Sequence, residues 1–112
     1  MDNRLNQILA RVKKEAESIF GEKLVDVILY GSYARGDYDH ESDIDIMVKV
    51  NIDRHDLYEY SKKMWKVAHE LDLEHDALIS VKLQDNFIFE EYKDVLPFYK
   101  NVTQEGIRVH AQ

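Results

Sequence analysis

The chain has 112 residues, 45% hydrophobic and 33% charged, with a formal net charge of −7 and no cysteine. This composition is that of a globular protein rather than a disordered one, and it excludes disulfides and thiolate metal sites. The acidic balance argues against a nucleic-acid binder, which needs clustered Lys and Arg, and no apolar run approaches the ~20 residues that span a bilayer.

One domain over 1–112 is expected, burying roughly 65% of the surface the unfolded chain would expose. Met1-Asp2-Asn3-Arg4 does not open a signal peptide, so the expected location is the cytoplasm. Leu5, Ile8, Leu9, Val12, Ala16, Ile19 and Phe20 recur at helical spacing, which predicts an amphipathic helix over 3–20 that stops at Gly21. Leu24 to Tyr30, rich in Val, Ile and Tyr, reads as a strand ending at Gly31. A short helical turn is expected from Tyr33, then a polar loop from Gly36 to Ser42. Alternation resumes from Asp43 to Val50. Ile44, Ile46, Val48 and Val50 share one face there, and Asp43, Asp45, Met47 and Lys49 share the other.

A second long helix is expected over Asp53 to Leu73, capped by Asp53 and striped by Leu57, Tyr60, Met64, Val67, Ala68 and Leu71. Tyr58, Tyr60, Met64 and Trp65 lie at near-helical spacing and are expected to pack in the core. His75 to Leu83 reads as a third strand with Ala77, Ile79, Val81 and Leu83 on one face and Asp76, Leu78, Ser80 and Lys82 on the other. Gln84 to Asp94 is expected to be a short helix or turn. Pro97 starts a last helix, which Gly106 closes, and Ile107 to His110 forms an edge strand. The predicted fold class is α/β or α+β, a small sheet covered by helices.

Chemistry concentrates in Gly31-Ser32 and Asp43-Ile44-Asp45, separated by ten residues. Aspartates at i and i+2 of a strand face the same side with Cα atoms ~6.5 Å apart, so both can enter one pocket. Two ionised carboxylates held together call for a cation, and Mg²⁺ suits oxygen ligands shared with substrate phosphates. Two such ions can steady the attacking and leaving oxygens of an in-line displacement. Gly31 allows a sharp turn and close approach of a phosphate, and Ser32 adds a hydroxyl and an N–H at a helix start. Arg35 can reach a phosphate or pair with a nearby aspartate. The acidic run Asp37-x-Asp39-x-Glu41 lacks the glycine and the twelfth-position glutamate of a calcium loop. The five histidines show no metal-ligand spacing, and no Gly-Lys-Ser/Thr phosphate loop is present.

With this spacing the chain resembles a minimal nucleotidyltransferase of the DNA polymerase β superfamily, whose signature is Gly-Ser, ten residues, Asp-x-Asp. Ala34-Arg35-Gly36 and Ser42-Asp43 are also similar to small prokaryotic members, and Pro97 to Gly106 to their C-terminal helix. The resemblance implies a polymerase β-like core and transfer of a nucleoside monophosphate, AMP above all, from ATP or another NTP to an acceptor hydroxyl. It implies two Mg²⁺ ions on Asp43 and Asp45, terminal phosphates on Gly31 and Ser32, and a third carboxylate on a neighbouring strand. Asp76 is the candidate for that third carboxylate, ahead of Asp72 and Glu74. Small members further resemble the antitoxin half of toxin–antitoxin pairs, which implies a HEPN-domain ribonuclease as partner and acceptor. A purely binding antitoxin and a small-molecule (aminoglycoside-type) transferase are the competing readings.

Overall fold

The first apolar stripe folds as its spacing predicts. α1 runs Asn3–Phe20 and turns Leu5, Ile8, Leu9, Val12 and Ala16 inward. The computed structural model describes residues 3–111. After a 3-10 turn at Gly21–Lys23 come β1 (Leu24–Tyr30), the one-turn helix α2 (Ser32–Arg35) and β2 (Ile44–Val50). A second 3-10 turn, Arg54–Asp56, leads into α3 (Leu57–His75), followed by β3 (Ile79–Asp85), α4 (Asn86–Tyr92), α5 (Pro97–Glu105) and β4 (Ile107–Ala111). Among the described residues the four strands form one sheet in the order β3-β2-β1-β4. β1 pairs antiparallel with β2 and β4, and β2 pairs parallel with β3. The parallel pair requires a crossover, which α3 supplies.

The predicted alternation sorts β2 correctly. Ile44, Ile46, Val48 and Val50 join Val27, Leu29, Ile79 and Val81 on the face covered by α1 and α3, the main core. The opposite face carries a second, smaller core, in which Ile28 and Met47 meet Phe89 of α4 and Val102 of α5. On the polar side of β2, Asp45 is half-buried whereas Met47 and Lys49 are buried. Phe89 of α4 and Val102 of α5 pack against this part of the strand.

Buried on this second face, Lys49 Nζ lies 3.3 Å from Asp26 Oδ2, and Arg108 donates from Nη2 to Asp26 Oδ1 at 2.7 Å. The ammonium also stands 3.9 Å from the centre of the Phe89 ring. Removing one member of a buried pair leaves the other charged and desolvated, at a cost of about 3–5 kcal/mol. Asp26→Ala is therefore expected to lower Tm by several degrees in a thermal melt, since it leaves the buried Lys49 with Glu90 as its remaining carboxylate and removes the Arg108 side-chain tie between β4 and β1.

Three expectations are revised. The third strand begins at Ile79, not His75, because the run Glu70-Leu71-Asp72-Leu73-Glu74-His75 consists largely of residues that helices accept and extends α3. Asp76 ends that helix in the left-handed conformation (φ 50°, ψ 55°), which aspartate tolerates better than most residues. Asp53 caps the 3-10 turn, accepting from His55 N at 2.9 Å, and α3 itself starts at Leu57. Tyr58 and Trp65, expected in the core, lie on the solvent side of α3 at 61% and 51% exposure, ring against ring, while Met64 is buried.

Candidate active site

The antiparallel register of β1 and β2 sets Tyr30 opposite Asp45, so the residue after Tyr30 must pass beside that carboxylate. Gly31 does so with φ 73° and ψ −155°, a region essentially reserved for glycine. A Cβ there would collide with Asp45 Oδ2 and stand 3.3 Å from its Cγ. The glycine of the first half of the motif is thus in contact with the second aspartate of the other half.

Gly31 O then accepts from Ala34 N and Arg35 N, both at 3.1 Å, closing α2. The amides of Ser32 and Tyr33, first in that turn, have no carbonyl within the helix to bond. Ser32 is half-buried beside them. The polar loop is a built turn. Ser42 Oγ accepts from Asp39 N at 3.0 Å, and Asp39 Oδ1 accepts from Glu41 N at 2.8 Å. Tyr38 stacks on the buried Tyr33 at 4.0 Å between ring centres. This turn delivers Asp43, which is exposed and lies one residue before β2 rather than within it.

Asp45 is half-buried. Burial pushes its carboxyl above the ordinary value, the Asp43 charge pushes it further, and Arg35 opposes both. Burial and the Asp45 charge likewise raise the Tyr30 hydroxyl to about 12. A carboxyl raised in the folded chain stabilises the fold fully below its unfolded pKa, and that contribution is lost as pH rises through the folded value. At neutral pH the ligand-free protein therefore carries a penalty from ionised Asp45. Asp45→Asn is expected to raise Tm by a few degrees at pH 7, and the gain should vanish below about pH 3.8, the ordinary Asp value. Thermal melts across pH measure this.

Arg35 donates from Nε to Asp37 Oδ2 at 3.1 Å and from Nη1 to Glu105 Oε2 at 3.4 Å, so both options read from the sequence stay open to it. Beside it a cavity of about 200 Å³ is lined by Tyr30, Gly31, Phe98, Asn101 and Glu105. Phe98 meets the Tyr30 ring edge-on at 5.7 Å. The Glu105 contact and the Phe98 wall come from α5, some 70 residues away, and carry no local sequence signal.

The proposed third carboxylate is placed differently from the pair. Asp76 is exposed at the end of α3 and lines a cleft with Arg4, Tyr33 and the 40–42 loop. Among the described residues no three His, Asp or Glu side chains are grouped to hold an ion. Asp72 Oδ1 accepts from Ile79 N at 2.7 Å, which fixes the start of β3, and Glu74 faces Arg11 at 3.9 Å. On β3 the residue in register with Asp45 is Ser80. The donor set that the structure does gather, two carboxylates repelling one another at the mouth of a glycine turn, fits a hard divalent cation.

A family model described as the nucleotidyltransferase domain matches residues 9–110. The chain belongs to the nucleotidyltransferase domain family. A relative from Methanocaldococcus jannaschii, described as a candidate protein adenylyltransferase, is 39% identical over 93 residues, covering 83% of this chain and 92% of the relative. A second of the same description and organism is 32% identical over 90 residues, covering 80% and 82%. A solved toxin–antitoxin complex with AMP-PNP matches 99% of this chain and 75% of its own at TM-score 0.58 and 20% identity. A candidate nucleotidyltransferase of Sulfolobus solfataricus matches 97% and 84% at TM-score 0.59 and 21% identity. A chain in the complex of tri-AMPylated Shewanella oneidensis HEPN toxin with MNT antitoxin matches 97% and 71% at TM-score 0.51 and 18% identity. At these identities the structural likeness is one of fold. It bears out the small mixed sheet flanked by helices and the nucleotidyltransferase fold expected from the motif.

Proposed function

We propose that this nucleotidyltransferase moves AMP from ATP to a hydroxyl on a partner protein, a HEPN-domain toxin that it thereby silences. The observation that supports the reading is the contact between Gly31 and Asp45, which brings the Gly31-Ser32 turn against one aspartate of the motif. Two candidate protein adenylyltransferases at 39% and 32% identity support the reaction class. The partner class is supported by likeness of fold to chains from toxin–antitoxin complexes, one of them holding an AMPylated toxin.

In this reading Gly31 and Ser32 hold the terminal phosphates, and Arg35 leaves Glu105 to meet one of them. Asp43 and Asp45 would hold Mg²⁺, expected as two ions, which would supply neutralisation of the phosphate charge and polarisation of the transferring phosphorus. Asp76, beside Ser42 in its own cleft, is left outside this pair. The acceptor oxygen bonds the α-phosphorus, the bond to pyrophosphate breaks, pyrophosphate departs with that electron pair, and the hydroxyl proton passes to water. Positioning and electrostatics account for the rate. The cytoplasm, where ATP is available, is the proposed location, and among the described residues no helix is long and apolar enough to cross a membrane.

The test is incubation of the protein with α-labelled ATP, Mg²⁺ and the HEPN-domain product of the adjoining gene. Label on the partner, with its ribonuclease activity lost in step, is the expected result. Silencing without any change in partner mass would favour the purely binding antitoxin.

A further inference from the structure

The position beside Asp45 on the third strand holds no carboxylate. The parallel register pairs Asp45 with Ser80 and Met47 with Lys82, so Ser80 and Lys82 stand on the same face as Asp45. Ile79 and Val81, between and before them, are buried on the other. Lys82 is exposed and, among the described residues, forms no ion pair with a carboxylate. Lys49, further along this face, is by contrast tied to both Asp26 and Glu90.

The Lys82 chain is nevertheless directed. Its ammonium lies 5.3 Å from the centre of the Phe98 ring, and that ring packs against Tyr30 on the far side of β2. The lysine therefore leans from β3 toward the column that carries Asp45. Gly31 and Ser32 follow β1, on the opposite flank of β2 in the order β3-β2-β1. With terminal phosphates on the β1 flank, an in-line displacement brings the acceptor in from the β3 flank.

We propose that Lys82 binds the transferring α-phosphate of the nucleotide from the acceptor side, a cation two residues beyond the β3 position that pairs with Asp45. This rests on the nucleotidyltransferase reading of the site and adds to it a phosphate-binding residue on β3. It makes the β3 flank cationic toward the nucleotide, whereas Asp43 and Asp45 need a metal to meet it.

Calorimetry with the protein in Mg²⁺ tests the assignment, using AMP-PNP, AMP and inorganic pyrophosphate as ligands for wild type, Lys82→Met and Lys82→Arg. Lys82→Met should weaken AMP-PNP and AMP by about 10- to 100-fold, the usual effect of losing a hydrogen bond to a charged group. Pyrophosphate, which lacks the α-phosphate, should bind both proteins alike, and Lys82→Arg should recover most of the affinity. The side chain is exposed, so an unchanged melting temperature should accompany these effects. Equal binding of AMP-PNP by wild type and Lys82→Met overturns the proposal, as does an equal loss for pyrophosphate, which would put the lysine at the leaving-group end. Should wild type bind none of the three ligands, the reading of the site itself fails and this inference with it.

Discussion

Asp43→Asn combined with Asp45→Asn is expected to reduce AMP transfer at least about a thousandfold while leaving the protein folded. Losing a single preorganised electrostatic contact commonly costs about 10²–10³ in rate, and here both carboxylates that would hold the cation are removed. Stability should not suffer, because the ionised pair destabilises the fold: Asp45 is half-buried and its charge is opposed by Asp43. The double variant should therefore melt at or above the wild-type temperature. Inactivity with undiminished or raised stability is the signature of a functional site that strains its own fold. Labelling of the partner at the wild-type rate would show that the chemistry lies elsewhere.

Gly31→Ala is expected to be as damaging to transfer, for a steric reason. An alanine Cβ would occupy the space of Asp45 Oδ2, and the backbone at φ 73°, ψ −155° belongs to a region that side-chain-bearing residues avoid at about 1–3 kcal/mol. Either the turn opens, which moves Ser32, or the Asp45 carboxylate swings away from Asp43. Both outcomes unseat one half of the motif from the other. Activity should fall by at least about a hundredfold, since small misplacements of reacting groups cost that much. Tm should fall by several degrees at the same time. The single variant Gly36→Ala, also at positive φ but with nothing near its Cβ, separates backbone strain from the collision. It should lose stability with far less loss of transfer.

Much of the architecture was legible in the chain because its periodicities are clean. Leu5 to Phe20 could only be one stripe of a helix, and Ile44 to Val50 one face of a strand, and both fold so. The boundary between α3 and β3 was not legible. Residues 70–75 satisfy a helix as readily as a loop, and what ends the helix is the left-handed Asp76 together with the Asp72 carboxylate bonded seven residues ahead to Ile79 N. That shift of four residues moves Asp76 off the strand and brings Ser80 beside Asp45. The outward placement of Tyr58 and Trp65 was hidden for another reason. Helical spacing shows which residues share a face, but not whether that face meets the sheet or the solvent. Glu105 on Arg35 and Phe98 on Tyr30 depend on α5 folding back across the sheet, which only the tertiary structure shows.

The strand register has one more consequence. Because Tyr30 lies directly across from Asp45, the two ends of the intervening loop are held together by the sheet and not by the loop's own length. A longer connection near Gly36 would add little closure entropy, about 0.6 kcal/mol for each doubling, and would leave glycine and aspartate touching. The interval counted along the chain is thus looser than the distance it stands for in space. Distant members of such a fold could keep the same reactive hollow beneath loops of quite different size.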